Sequence, residues 1–209
     1  MFQNEELEEE GNEIKVILVG EPGTGKTSLI NVAIGQEFKE ESNSTLSSTF
    51  VPKKFKKDGK EYNVNIWDTA GQEKYRSLTK IFIKDSKIVI FVYAIDNKDS
   101  FDGIKSYWLG TIKEALGDDP VLGIVGNKCD LFMNEQVKEN EAKEFADEKG
   151  MQFQLVTAKE NPKGFIQFLS KLLDIFLEKN DFGSKRNSIF INKDDPVGDE
   201  EKKGGCCKK

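Results

Sequence analysis

Residues 14–35 read IKVILVGEPGTGKTSLINVAIG, an apolar run that passes through a glycine-rich turn into a segment with helical spacing. The apolar run ends at a glycine and indicates a buried strand, and the last glycine marks the end of a helix. Residues 20–27, GEPGTGKT, match the pattern G-x-x-x-x-G-K-[ST], which requires this strand–loop–helix context. The stretch therefore predicts an α/β fold with a phosphate-binding loop after its first strand.

The rest of the chain continues this alternation of strands and helices. Residues 49–67 predict a hairpin with its turn at Asp58-Gly59, and alternating polar residues indicate at least one solvated face. Three buried strands and three helices are predicted at 87–96, 121–128 and 152–159 and at Asp99–Leu116, Asn134–Lys149 and Pro162–Lys179. This order predicts a three-layer domain: a six-stranded, mostly parallel sheet with one antiparallel strand and helices on both faces.

Composition and charge narrow the class of protein. The chain has 209 residues, 33% of them charged, and a net charge of -6, which argues against nucleic acid as the main partner. No apolar run approaches the ~18 residues of a membrane span, and three cysteines are too few for a disulfide framework. We expect a cytosolic setting, an acidic disordered arm over residues 1–13, one domain over 14–179 and a flexible tail over 180–209.

The glycine-rich loop has the chemistry of a phosphate site. Lys26 brings a positive charge to the outer phosphates, and the Thr27 hydroxyl is a candidate magnesium ligand. A plain glycine turn would explain Gly20 and Gly25 but would not require a lysine followed by a threonine. At the N-terminus of a helix, successive backbone N–H groups can bind an anion; here they belong to Gly23, Thr24, Gly25, Lys26 and Thr27.

A second motif, IWDTAGQE, supplies the carboxylate that such a magnesium site needs. Asp68 follows an apolar strand, and Gly71 lets the backbone approach a terminal phosphate. An aspartate that ends a strand is often only a turn cap. Its position after the phosphate loop favours the metal-ligand interpretation.

The four motifs GEPGTGKT, WDTAGQE, GNKCD and TAK, in this order, resemble those of the Ras superfamily of small GTPases from Ile14 to the end of the chain. The resemblance implies a P-loop GTPase domain that binds Mg²⁺ and hydrolyses GTP to GDP. It also implies that Asp130 accepts hydrogen bonds from guanine N1–H and the 2-amino group, a donor pair that adenine lacks. The other nucleotide-binding residues implied by the resemblance are Ser28, Phe38, Asn127, Lys128, Thr157, Ala158 and Lys159.

Two further implied residues concern the switch and catalysis. Thr45 would be the second hydroxyl on magnesium, although Ser44 and Thr49 are rivals in the stretch SNSTLSST. Gln72 would orient the attacking water, with Lys26 the other catalytic residue. Because Arg76 and Arg186 are the only arginines, a GTPase-activating protein is implied as the source of a catalytic arginine.

Within the superfamily, WDTAGQEKYRSL and the ending GGCCKK resemble Rab proteins. This resemblance implies vesicle traffic, prenylation of Cys206 and Cys207, and a place on the cytoplasmic face of an intracellular membrane with a soluble cytosolic pool. An incidental or metal-binding cysteine pair is the alternative. The implied partners are an exchange factor, an activating protein, a GDP-dissociation inhibitor and effectors, and we expect a monomer.

Pro22 is the unusual residue of the loop, because proline has no N–H to offer a phosphate. It precedes the amides that wrap the β-phosphate, so we expect nucleotide binding to survive. Its ring either crowds the space shared by Gln72 and an incoming arginine or only rigidifies the turn. The alternative function is a GTP-held, poorly hydrolysing scaffold on the same fold. An ATP-dependent P-loop kinase is opposed by Asp130.

Overall fold

The computed structural model describes residues 13–40, 45, 49–69 and 81–188, with the backbone alone for 181–188. Within these residues, six strands form one sheet in the order β2-β3-β1-β4-β5-β6. Only β2 and β3 pair antiparallel, and the other neighbours are parallel. The strands are β1 (Glu13–Val19), β2 (Thr49–Lys57), β3 (Lys60–Asp68), β4 (Ile88–Ala94), β5 (Val121–Asn127) and β6 (Gln152–Leu155). The predicted fold class is confirmed.

The hairpin between β2 and β3 turns where the sequence predicts. Lys57 pairs with Lys60, and the two residues between them, Asp58 and Gly59, have φ of 49° and 76°. Positive φ at both central positions is what a type I′ turn requires. Along β3, Val64 and Ile66 are buried while Glu61 and Asn63, on the other side of the strand, are exposed, so the strand has the solvated face that its alternation predicts.

Helices follow most strands. The bounds are α1 (Lys26–Ala33), α2 (Lys98–Gly103), a π-helical turn (Ile104–Trp108), α3 (Leu109–Leu116), a 3₁₀ helix (Cys129–Asn134), α4 (Glu139–Glu148) and α5 (Pro162–Ser188). No helix within the described ranges is long and apolar enough to cross a membrane.

Two helix bounds differ from the prediction by more than one residue. The helix expected from Asn134 begins at Glu139, because the backbone N–H groups of Gln136 and Val137 both donate to the carbonyl of Ile95, at 2.8 and 3.1 Å. These bonds hold the segment extended against the end of β4. The last helix continues past Lys179 to Ser188, over a stretch without proline to stop it. The compact unit that contains the sheet ends at Phe176, and the second unit begins at Leu177.

The core lies on both faces of the central strands. All seven residues of β4 are buried. On one face, Tyr93 packs against Phe101 with ring centroids 4.9 Å apart, in a cluster that includes Trp108 of the π turn. On the other face, a side chain added at Gly123 would meet Phe168 and Leu172 of α5. This packing fixes the sheet, and the carboxyl ends of its parallel strands meet at one edge.

Candidate functional site

A cavity of about 390 Å³ lies at this edge of the sheet. The phosphate loop and α1 contribute Gly23, Gly25, Lys26, Thr27 and Ser28 to its lining. The later segments contribute Phe38, Thr45, Asn127, Lys128, Asp130, Ala158 and Lys159. The fold therefore brings together most residues that the sequence singled out. Gly71, Gln72, Cys206 and Cys207 lie outside the described residues.

The phosphate loop passes close to Asn127 at Gly25, and this close approach explains the glycine. Gly25 has φ of 88° and precedes α1, and a Cβ there would lie 2.3 Å from Nδ2 of Asn127. That amide donates a hydrogen bond of 2.9 Å to the carbonyl of Thr24. Thr24 itself is fully buried, and its hydroxyl donates to the carbonyl of Glu21 at 3.0 Å. The loop is thus fixed from both sides.

The Lys26 side chain, a predicted phosphate ligand, is held inside the phosphate loop. Its ammonium donates to the carbonyls of Gly20 and Glu21, at 2.9 and 3.0 Å, and the residue is 5% exposed. Burial lowers the pKa of Lys26 to about 8, against the opposing charges of Asp68 and Glu21. A buried cation that donates to backbone carbonyls gains from an anionic phosphate beside it.

The three predicted metal ligands are joined by hydrogen bonds. The Thr27 hydroxyl donates to Oδ2 of Asp68 at 2.7 Å and lies 2.8 Å from the Thr45 hydroxyl. Of the rival hydroxyls, Thr49 is the exposed first residue of β2, and Ser44 falls outside the described residues. The structure thus places Thr45 in this cluster.

The cluster fits a hard divalent cation. Among the described residues, Oδ1 of Asp68 is buried and has no hydrogen-bond partner. Burial raises the pKa of Asp68, and the hydrogen bond from Thr27 is the largest opposing influence. One carboxylate and two hydroxyls match the oxygen ligands of Mg²⁺, which keeps several waters and also binds substrate phosphates. These three residues could hold the ion.

The opposite end of the cavity holds the residues predicted to recognise the base. The Thr157 hydroxyl donates to Oδ1 of Asp130 at 2.6 Å and accepts from the backbone N–H of Lys159 at 3.2 Å. Thr157 is buried, so it acts on the cavity through Asp130. A carboxylate accepts several hydrogen bonds, so Asp130 can bind donors of a base as well. Lys128 adopts a φ of 63°, and its ammonium lies 3.8 Å from Asp96.

Some lining residues were not predicted. Lys39, Glu40, Thr69 and Leu131 also line the cavity. Thr69 donates from its hydroxyl to the carbonyl of Leu18 at 2.7 Å and ties the ends of β1 and β3 together. Glu40 accepts a bond of 2.7 Å from Lys159, and both residues line the cavity. Thr69 and Leu131 adjoin Asp68 and Asp130, and this adjacency was the signal available in the sequence.

Comparison with known proteins agrees with this geometry. The Ras family profile matches residues 15–174. Ras-related protein Rab-21 of Homo sapiens is 35% identical over 205 residues, which cover 92% of this chain and 90% of that protein. Rab-21 of Geodia cydonium is 39% identical over 79% of this chain and 72% of its own length. Ras-related protein YPTC6 of Chlamydomonas reinhardtii is 34% identical, with coverages of 92% and 94%. The chain therefore belongs to the Ras family and is a Rab-like small GTPase.

Proposed function

We propose that this GTPase is a switch that regulates vesicle-mediated intracellular traffic from the cytoplasmic face of a membrane, with a soluble pool in the cytosol. The observation that carries the nucleotide switch is one cavity with two chemically different ends, and the similarity to Rab proteins supports the role in traffic. The Thr27–Asp68–Thr45 cluster lies at the phosphate end, and the Thr157–Asp130 pair lies at the base end. A guanine nucleotide has complementary groups at both ends.

At the phosphate end, the chain's own groups bind and orient the substrate. The backbone N–H groups at the start of α1 donate hydrogen bonds to the β-phosphate, and Lys26 exchanges its two carbonyl partners for the outer phosphate oxygens. Thr27, Thr45 and Asp68 would hold Mg²⁺, which neutralises charge on the phosphate oxygens. We propose that Gly71 approaches the γ-phosphate and that Gln72 orients the attacking water.

The position of Thr45 supports the proposed switch. Its hydroxyl reaches the cluster from a segment between α1 and β2, so the occupancy of the phosphate end is coupled to that segment. In this family the γ-phosphate orders such segments, and hydrolysis releases them. Exchange factors, a GTPase-activating protein, a GDP-dissociation inhibitor and effectors are the proposed partners of a monomeric protein.

Competition binding tests the nucleotide assignment. The purified protein is stripped of nucleotide, and binding of a fluorescent GDP derivative is measured in competition with GTP, GDP, ATP and xanthosine triphosphate, with and without Mg²⁺. We expect guanine nucleotides to outcompete ATP by at least about 10⁴-fold, because adenine lacks the pair of donors that Asp130 would accept from guanine. In Asp130→Asn, guanine nucleotides should lose affinity relative to xanthosine triphosphate, whose 2-oxo group accepts from an amide. Equal competition by ATP would contradict the proposal.

Membrane attachment needs a separate test. We propose that two prenyl chains on Cys206 and Cys207 anchor the protein, since two lipids hold where one is marginal. The full chain is incubated with prenyl donor and prenyltransferase, and the intact mass is measured. We expect two added prenyl chains on the unmodified sequence and none on the Cys206→Ser/Cys207→Ser variant. Only the prenylated protein should bind vesicles. Vesicle binding by the double serine variant would refute the lipid anchor.

A further inference from the structure

A second cavity, of about 440 Å³, lies on the other side of the phosphate loop. Glu21 and Pro22 line it from the loop, and Gly103 and Ser106 line it from α2 and the π turn. The indole Nε1–H of Trp108 donates a hydrogen bond of 3.1 Å to Oε1 of Glu21. Trp108 is fully buried and ends the π turn. A carboxylate of the phosphate loop is therefore bonded to a helix outside the nucleotide cavity.

The position of this carboxylate matters because it carries the same charge as the substrate. The Glu21 backbone carbonyl accepts bonds from Lys26 and Thr24, so the residue belongs to the loop itself. The Glu21 charge also acts at the Lys26 ammonium. A carboxylate turned toward the phosphates would repel them and compete for that lysine.

We propose that Trp108 is a positioning residue for the phosphate loop. Its indole N–H holds the Glu21 carboxylate away from the phosphates and so preserves affinity for the triphosphate. The extra residue of the π turn sets the direction in which the Trp108 indole points. Each residue of a helix advances about 100° around the axis, so a helix without the insertion would turn the indole to another side. The inference rests on the proposed nucleotide function of the cavity.

Gly103 offers an independent way to move the same carboxylate. A Cβ at Gly103 would lie 2.9 Å from both Cγ and Oε1 of Glu21, the end of a flexible side chain. The backbone there is helical, with φ of -61° and ψ of -34°, so alanine is unstrained and is the better helix former. Gly103→Ala should therefore displace Glu21 without weakening the fold.

The hydrogen bond can be tested without any nucleotide function. The chain has two tryptophans, so a ¹H–¹⁵N spectrum contains two indole signals, which Trp108→Phe assigns. We expect Glu21→Ala and Gly103→Ala to shift the Trp108 indole signal upfield in the proton dimension and to leave that of Trp67 in place. An unshifted Trp108 signal in both variants would overturn the contact.

The functional consequence is tested by the ratio of GTP to GDP affinity. We expect Trp108→Phe and Gly103→Ala to weaken GTP about fivefold more than GDP, because the added γ-phosphate charge meets the released carboxylate. Glu21→Gln removes the charge but keeps an acceptor for the indole, so neither substitution should change the ratio in that background. Gly103→Ala carries the test if Trp108→Phe does not fold.

The proposal is overturned if the variants lose GTP and GDP affinity equally. It is also overturned if the ratio of GTP to GDP affinity changes by the same factor in the Glu21→Gln background, because the role of Trp108 would then be merely structural. If the unmodified protein binds no guanine nucleotide, the proposed function fails as well. The indole signal then shows whether the Trp108–Glu21 contact itself stands, so the two failures are distinguishable.

Discussion

The side-chain amide of Asn127 donates a hydrogen bond of 2.9 Å to the backbone carbonyl of Thr24. Asn127 is the last residue of β5, and Thr24 is in the phosphate loop. The bond therefore joins the strand that leads to Asp130 with the loop that leads to Lys26. The spacing between the base end and the phosphate end of the cavity depends on this contact.

Gly25→Ala should abolish tight nucleotide binding. The new Cβ would lie 2.3 Å from Nδ2 of Asn127, so the bond to Thr24 breaks or the loop moves. We expect a loss of guanine nucleotide affinity on the order of 10²-fold or more, since the loop amides lose their arrangement. Titration with a fluorescent GDP derivative measures it.

Gly35→Ala is the matched control. Gly35 has φ of 87°, almost equal to the 88° of Gly25, but a Cβ there meets nothing within 4 Å. Both variants carry the backbone strain of a left-handed alanine, about 1–2 kcal/mol of unfolding free energy. Only Gly25→Ala should lose affinity. Equal affinity in the two variants would refute the role of the Asn127 contact.

Thr157→Val should weaken guanine nucleotides about tenfold, because Asp130 loses the hydroxyl that donates to it at 2.6 Å. Valine keeps the shape of the side chain. Thr157→Ser restores the hydroxyl and should return the affinity close to that of the unmodified protein. Isothermal titration with GDP and Mg²⁺ compares the three proteins. Full affinity in the valine variant would remove Thr157 from the account.

Affinity for nucleotide should fall above pH 8. Burial lowers the pKa of Lys26 to about 8 in the nucleotide-free protein, while a bound phosphate raises that pKa. Below pH 8 the lysine is protonated in both states, and the affinity keeps its full value. Above pH 8 the free protein must take up a proton on binding, so affinity falls by up to about tenfold per pH unit. Dissociation constants for GDP from pH 6.5 to 9 measure this.

Lys26→Gln is the control for the pH dependence. This variant should bind more weakly at every pH and lack the fall that begins near pH 8. A fall of the same steepness in Lys26→Gln would assign the proton to another group.

Tyr93→Phe should leave the protein as stable as before or slightly more stable. Tyr93 is fully buried, and its hydroxyl has no hydrogen-bond partner among the residues described. Burial raises the pKa of Tyr93, so the hydroxyl stays neutral. Removing an unpaired hydroxyl relieves a desolvation penalty, so we expect up to about 1 kcal/mol of added unfolding free energy in urea. A loss above about 1 kcal/mol would reveal a partner for the hydroxyl.

Pro22→Gly should bind GDP within about twofold of the unmodified protein. Pro22 is exposed and lines the cavity, and the amides expected to wrap the β-phosphate begin after it. If the ring crowds the catalytic space, activator-stimulated turnover should rise in this variant while affinity stays constant. Unchanged stimulated turnover would leave the proline only its rigidifying role.

Local patterns were sufficient to predict the sheet. β4 is an unbroken apolar run, and Asp58-Gly59 supplies the two positive φ angles of a hairpin. Long-range contacts could not be predicted from the sequence. The start of α4 depends on bonds to the carbonyl of Ile95, and an extra residue in a π turn barely disturbs a 3.6-residue periodicity.

The site shows the same division between local and distant information. Lys26, Thr27 and Asp130 lie in short contiguous motifs, so their chemistry could be inferred from the residues next to them in sequence. The bonds of Thr157 to Asp130 and of Trp108 to Glu21 join residues 27 and 87 positions apart. Periodicity within a single sequence carries no information about such pairs, and only the fold brings them together.

Single-turnover hydrolysis of preloaded GTP tests the central claim most directly. The purified full chain is loaded with GTP, Mg²⁺ is added, and bound nucleotide is separated by chromatography over time. The account predicts slow conversion to GDP that stays bound, and loss of that conversion in Gln72→Leu. GTP that stays bound and unhydrolysed in the unmodified protein would contradict a working switch and favour a GTP-held binding platform.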